Sequence, residues 1–351
     1  MSAPRITTVA DIGTFDEIID ARSPAEHADD RIPGALNLPV LDDDERRIVG
    51  TLYVQQGAFE ARRVGGAMVA ANLARHLQGP LADKPAHWRP LVYCWRGGMR
   101  SGSMVQWLRL VGWDAQPLQG GYKSWRKHVM ATIDAVAPVM EMRLLCGPTG
   151  SAKTRVLQAL AAQGAQVLDL EAFASHKGSV LGAVPGTPQP SQKQFETRLA
   201  VAMQRLDPAR PTFLEAEGRM IGRISLPTSL LTRMRASPCV ALDATVPTRL
   251  AFLLRDYAYL GDDPEALASQ IAKLHGLQAN ATLERWQGWA RTHALAPLFE
   301  ELMTMHYDPL YARSQHGDFN QLKHARHVAA AALDDAGIAA VAADVMRVAA
   351  E

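Results

Sequence analysis

The stretch Leu144-Leu145-Cys146-Gly147-Pro148-Thr149-Gly150-Ser151-Ala152-Lys153-Thr154 constrains this chain more than any other. An apolar run enters a glycine-bounded loop with Lys and Thr at its far end, and the helical pattern of Arg155–Ala162 follows. Such a pattern is a strand feeding a helix through a loop whose N–H groups face an anion. A strand used in this way is buried on both faces, so the sheet must be parallel and covered by helices. The usual pattern is Gly, four residues, Gly, Lys and Ser/Thr, and Ala152 stands in place of the second Gly. That position enters the helix, where Ala is tolerated, so the cradle of Gly147, Pro148, Thr149, Gly150, Ser151 and Ala152 is expected to survive. Lys153 would then reach a terminal phosphate, and Thr154 would hold a magnesium ion.

A second loop carries a nucleophile. Cys94-Trp95-Arg96-Gly97-Gly98-Met99-Arg100-Ser101 follows the apolar Leu91-Val92-Tyr93 and precedes a helical pattern, which places Cys94 at a strand end in a cradle of N–H groups. Sulfur held there can attack sulfur, selenium or phosphorus and hold the persulfide, perselenide or phosphate that results; Cys94 is expected to carry the chalcogen, with the loop amides and Arg100 stabilising its anionic forms. Trp95 is expected to form a wall for an incoming ring. Cys146 and Cys239 lie in apolar runs and read as packing residues. Three cysteines far apart give neither a disulfide framework nor a paired metal-binding spacing, and a reducing cytoplasm suits a free thiol.

Other groups that carry chemistry lie in the second half. Glu215 and Glu217 follow the strand pattern Pro211–Leu214, and alternation sends both to the same side, beside a magnesium-bound phosphate or a proton in transit. Arg219 and Arg223 would share one side of a helix and suit an anionic substrate. His176, Lys177, Gly178 and Ser179 read as a loop offering cationic and hydroxyl groups to a phosphate. Tyr307-Asp308-Pro309-Leu310-Tyr311 is either a stacking platform or a turn with inward-packed rings.

Residues 1–137 alternate short strands with helices and form one domain. Residues 138–351 restart with a strand at Met142–Cys146 and turn helical from Arg249, and Ala325–Ala350 reads as a terminal helical segment. The 351 residues are 48% hydrophobic, enough for two cores. A net charge of +1 gives no long-range field, so a nucleic-acid ligand would need locally clustered positive charge. No stretch approaches the roughly 20 apolar residues of a membrane span.

Ile18–Glu26, Arg31–Pro39 and Leu118–Trp125 surround the cysteine loop in an order that resembles a rhodanese domain. With the phosphate loop behind it, the whole chain resembles the tRNA 2-selenouridine synthases. That likeness rests further on Leu41–Gln56, His176–Ser179, Gln189–Gln192, Glu215–Arg219 with Ile221-Gly222, and Tyr307–Tyr311. The resemblance implies an α/β rhodanese-like domain joined to an α/β phosphate-loop domain with a helical extension. It also implies an enzyme that replaces the 2-thio group of a wobble uridine in tRNA by selenium from selenophosphate. A geranylated thiouridine would be made on the way from geranyl diphosphate, and an enzyme supplying selenophosphate would be a partner.

Rival readings differ in what they require. The spacing from Cys94 to Arg100 is also that of cysteine-dependent phosphatases, but no acid to protonate a leaving group lies inside the loop. A kinase or NTPase regulated by the first domain would hydrolyse ATP. A non-catalytic tRNA-binding module would leave uridine content unchanged when its gene is deleted.

Overall fold

The computed structural model describes residues 7–178, 182–184, 186–319 and 321–350. The chain forms two compact units, Met1–Thr132 with Pro190–Ala200, and Ile133–Gln189 with Val201–Glu351.

The first unit is built on a parallel sheet of β1 (Glu17–Asp20), β2 (Leu36–Asn37), β3 (Pro90–Tyr93) and β4 (Gln116–Pro117), in the order β2-β1-β3-β4. Every residue of β3 is buried, as an inner parallel strand requires, and Pro90 sits at its first position, where no ladder N–H is needed. The helices are α1 (Pro24–Asp29), α2 (Asp43–Gln55), α3 (Ala58–Gln78), α4 (Met99–Val111) and α5 (Gly121–Val136). Ile19, Val92, Met104, Leu108 and Trp113 pack in its core.

The second unit has a five-stranded parallel sheet. Its strands are β5 (Met142–Cys146), β6 (Gln166–Val167), β7 (Thr212–Glu215), β10 (Cys239–Asp243) and β11 (Arg326–Ala329), in the order β11-β10-β5-β7-β6. Between β7 and β10 the chain makes an antiparallel hairpin of β8 (Met220–Ile221) and β9 (Ile224–Ser225). After β7 the chain crosses to the opposite side of β5 and adds β10, so β5 lies at the switch point where α/β sheets open a crevice. Helices α6 (Lys153–Ala162), α7 (Leu170–Ala174), α9 (Thr228–Ala236) and α10 (Val246–Asp256) accompany the strands, while α8 (Gln192–Met203) belongs to the first unit as far as Ala200. The helical part adds α11 (Pro264–Ala272), α12 (Asn280–Arg291), α13 (Leu295–Glu301), α14 (Asp308–Asp318) and α15 (Asp335–Ala350). Trp286, fully buried, lies in the large core that joins these helices to the sheet.

Two differences from the sequence reading have physical causes. The segment Ala325–Ala350 is not helical throughout: Arg326–Ala329 pairs with β10 as an edge strand before α15 begins. An edge strand needs only one buried residue, here Val328, so its pattern is hard to tell from a polar loop. Arg219 and Arg223 flank the β8–β9 hairpin rather than a helix. Residues 190–200, which lie beyond residue 137 in the chain, group with the first unit.

Candidate active sites

In the first unit, the end of β1 and the start of α5 fix the cysteine loop. Arg22 reaches back to Asp20 at 2.6 Å, both fully buried, and the Tyr93 hydroxyl donates to the same carboxylate oxygen at 2.8 Å. The Arg22 guanidinium lies 4.0 Å from the centre of the Tyr122 ring, and the Tyr122 hydroxyl donates to the buried Asp30 at 2.7 Å. Tyr122 and Lys123 donate their backbone N–H groups to the carbonyls of Cys94 (2.8 Å) and Trp95 (3.1 Å), hooking the first turn of α5 onto the loop. This approach needs Gly121: its φ is +58, and a Cβ there would lie 2.3 Å from the Cys94 carbonyl oxygen.

Cys94 itself is 3% exposed, and its Sγ lies 3.1 Å from the hydroxyl oxygen of the fully buried Ser101. The N–H groups of Arg96, Gly97, Gly98 and Met99 donate to no backbone acceptor among the described residues. Arg100 lies at the start of α4 and is ion-paired. Its guanidinium is paired with Glu26 through contacts of 2.5 and 3.2 Å, which offsets its charge and holds the Glu26 carboxyl below its ordinary range against the effect of burial. The side chain that contacts the sulfur is Ser101. Trp95 is half-buried and rests against the Tyr122 ring, centroids 5.3 Å apart.

In the second unit, β5 delivers the phosphate loop. Lys153 folds back to donate to the Gly147 carbonyl at 2.8 Å, and Ser151 donates to the Pro148 carbonyl at 2.8 Å. Arg249, 4% exposed, donates to the Thr149 carbonyl at 2.9 Å and grips Asp308 with two bonds of 2.8 Å. The Tyr311 hydroxyl accepts from the Gly147 N–H. Tyr307–Tyr311 is not a turn but the passage from the π-helical stretch Leu302–Tyr307 into α14; Asp308 anchors the phosphate loop through Arg249, and Tyr307, Leu310 and Tyr311 line a cavity.

Ala152 is not at ease in the helix. It is the N-cap of α6 in the left-handed conformation, φ 58 and ψ 26, a region that disfavours any residue with a Cβ. Ala152→Gly removes a strain of roughly 1–2 kcal/mol, part of which is offset by about 0.5–1 kcal/mol of added chain entropy in the unfolded state. The expected outcome is a melting temperature raised by about 1–3 °C with activity equal or higher. A lower melting temperature in a calorimetric scan would show that the loop needs this Cβ.

Beside the loop stand three carboxylates. Glu215 ends β7, Glu217 lies two residues beyond, and Glu171 comes from α7; their oxygens lie within 4.8 Å of one another. Thr154 donates to Glu171 at 3.1 Å, and one oxygen of Glu215, itself 4% exposed, is buried without a hydrogen-bond partner. Burial first, then neighbouring carboxylates, push Glu171 up to about 9 and Glu215 up to about 7. Glu171 was not found from sequence, although an acid two residues past the N-cap Asp169 of a helix that follows a strand was a usable signal. Gly178 closes this cluster, since a Cβ there would lie 2.5 Å from Glu171. Lys177 sits 4.0 Å from the Tyr257 ring centre and 3.8 Å from Asp256. These groups and the loop line one cavity of about 500 Å³, whose lining also includes Phe252, Phe299, Leu302 and Met303.

The remaining candidates lie elsewhere. His176 bridges to Ala183 and is absent from the lining of this cavity, as are Arg219 and Arg223. Arg223 donates to the Gln189 carbonyl at 2.6 Å, tying the hairpin to the preceding loop. Ser179 lies outside the described residues. Cys146 and Cys239 are buried in neighbouring strands.

The two loops and their sheets define a rhodanese-like domain joined in one chain to a phosphate-loop domain. Family models match both parts: the rhodanese-like domain over residues 8–128, and the tRNA 2-selenouridine synthase AAA domain over residues 140–278. A tRNA 2-selenouridine synthase of Marinobacter nauticus is 34% identical over 332 residues, covering 84% of this chain and 87% of that protein. One from Bdellovibrio bacteriovorus is 34% identical over 338 residues, covering 85% and 88%. A third, from Nitrosomonas europaea, is 39% identical over 244 residues, covering 68% of this chain and 63% of that protein. The chain belongs to the tRNA 2-selenouridine synthase family.

Proposed function

We propose that this chain makes 2-selenouridine in tRNA in two chemical steps: geranylation of a wobble 2-thiouridine, then replacement of the geranylated sulfur by selenium. The observation that carries this reading is the lining of one cavity, which combines the phosphate loop and three carboxylates with the apolar Phe252, Phe299, Leu302 and Met303. A diphosphate on a hydrocarbon chain calls for both kinds of surface.

In the first step the uridine sulfur attacks C1 of the geranyl chain, the C1–O bond breaks, and diphosphate departs with the electron pair. Lys153 and the loop amides neutralise the charge that collects on the departing oxygens. Thr154, Glu171, Glu215 and Glu217 fit a magnesium ion, because their donors are hard oxygens and a buried Glu215 oxygen lacks any other partner. When bound, such an ion supplies further neutralisation of the diphosphate.

In the second step Cys94 attacks the phosphorus of selenophosphate. The P–Se bond breaks, selenide leaves with the electron pair, and the phosphoryl group stays on the cysteine sulfur until water removes it. Backbone amides of the loop that lack a backbone acceptor are the groups that would stabilise the phosphoryl oxygens, and no oxidant is consumed. Selenide then adds at C2 of the base and geranylthiolate leaves.

Incubating the protein with thiolated tRNA, geranyl diphosphate and selenophosphate, followed by mass spectrometry of the nucleosides, tests this sequence of events. Geranylated thiouridine should precede selenouridine. Phosphate released from ATP with no prenylated nucleoside would instead establish the kinase or NTPase reading.

The acid cluster gives a pH-dependence of known sign. Glu171 and Glu215 are raised in the fold, so their contribution to stability is fully present below the ordinary glutamate value of about 4.3 and is lost as the pH rises through about 7 to 9. Metal-free protein should therefore melt at falling temperature from pH 5 to 9, and magnesium should flatten that slope. A metal-free profile without any fall would remove the cluster from the account.

A further inference from the structure

A chain with net charge +1 attracts RNA only through a local patch, and the rim of the cysteine loop offers one. The acids near this rim are already matched. Glu26 is paired with Arg100, Asp29 with Lys193 at 2.7 Å, and Glu196 with Arg126, while Asp30 is buried beneath Tyr122 and Thr197. Three cations remain. Arg96 lies two residues after the nucleophile. Lys123 is in the turn of α5 that bonds the Trp95 carbonyl, and Lys127 lies one turn further on the same helix face. All three are exposed, and none has a charged partner among the described residues. Next to them stands Trp95, half-buried, backed by Tyr122 and with the Lys193 ammonium 5.9 Å from its ring centre.

We propose that Arg96, Lys123 and Lys127 hold the phosphates of the single-stranded anticodon loop around the Cys94 mouth, with Trp95 as the ring on which a neighbouring base stacks. This rests on the reading that the substrate is tRNA. Selenide released at a sulfur that is 3% exposed adds to the base only if that base is turned out of its stack and brought to the loop. The flanking phosphates must then lie on the surface around the mouth. Unpaired cations beside an aromatic ring are the usual means of holding such a strand without reading its sequence.

The test is the salt dependence of binding of a fluorescein-labelled anticodon stem-loop RNA to the full chain, by anisotropy. Each phosphate contact in a single strand contributes about 0.7 to the slope of log K against log salt. The triple variant Arg96→Gln/Lys123→Gln/Lys127→Gln should lower the slope by about two and weaken binding at 0.1 M salt about 100-fold, with an unchanged melting temperature. Lys123→Arg/Lys127→Arg should bind as the parent does. Trp95→Ala should weaken binding without changing the slope. If the parent binds RNA and the triple variant matches it in affinity and slope, the patch is not the RNA site. If the parent itself shows no RNA binding, the tRNA reading fails, and this assignment fails with it.

Discussion

Lys153→Ala is expected to lower geranylation at least 1,000-fold, because a positioned charge on a departing phosphate typically contributes a factor of about 10³–10⁵. The structure holds this ammonium inside the loop, bonded to the Gly147 carbonyl at 2.8 Å and 5.7 Å from the Tyr311 ring centre. Its nearest substitutes are committed elsewhere: Arg155 faces Asp256 and Asp335, and Lys177 lies over two tyrosine rings. Selenation of unprenylated thiouridine should disappear with geranylation. Supplying pre-geranylated RNA and selenophosphate should restore product, since Cys94 is untouched. Failure of that rescue would mean that the phosphate loop also serves the selenium step, and the division of labour would collapse into one site.

Cys94→Ala is expected to give the opposite pattern. Selenouridine should fall below detection while geranylated thiouridine accumulates, because the loop at Gly147–Thr154 remains whole. Truncating a small side chain against Ser101 should disturb the fold little. Wild-type selenation in this variant would move the nucleophile elsewhere. Cys146→Ala and Cys239→Ala serve as controls: both thiols are buried, hydrogen-bond each other across neighbouring strands, and reach nearby carbonyls at 3.9 and 3.8 Å. They should lose some stability and keep full chemistry.

Sequence carried the parts of this molecule that depend on local geometry. A strand running into a glycine loop and then a helix is determined by neighbours in the chain, so β5 with its phosphate loop and β3 with its cysteine loop were both legible. Pairings across the fold were not. Nothing near Arg100 announces Glu26, 74 residues away, and nothing near Thr154 announces Glu171 from another helix. Ala152 misled because the propensity of a residue type says little about one position whose φ is set by the loop. The arginines at 219 and 223 misled because a spacing of four suggests a helix only where a helix exists, and a two-residue hairpin offers too few positions to reveal its period.

The packing of residues 190–200 with the first unit governs how that unit matures on the ribosome. Its buried Asp30 accepts from Thr197, and Arg126 is held by Glu196, so the unit lacks part of its interior until those residues have been made. At 5–20 residues per second, synthesis from residue 137 to residue 197 lasts roughly 3–12 s. During that interval the early strands and the cysteine loop wait with a buried carboxylate incompletely satisfied. The first unit is therefore expected to finish folding only after the phosphate loop has been translated, so that a nascent chain stalled before residue 190 would carry Cys94 in an unfinished domain.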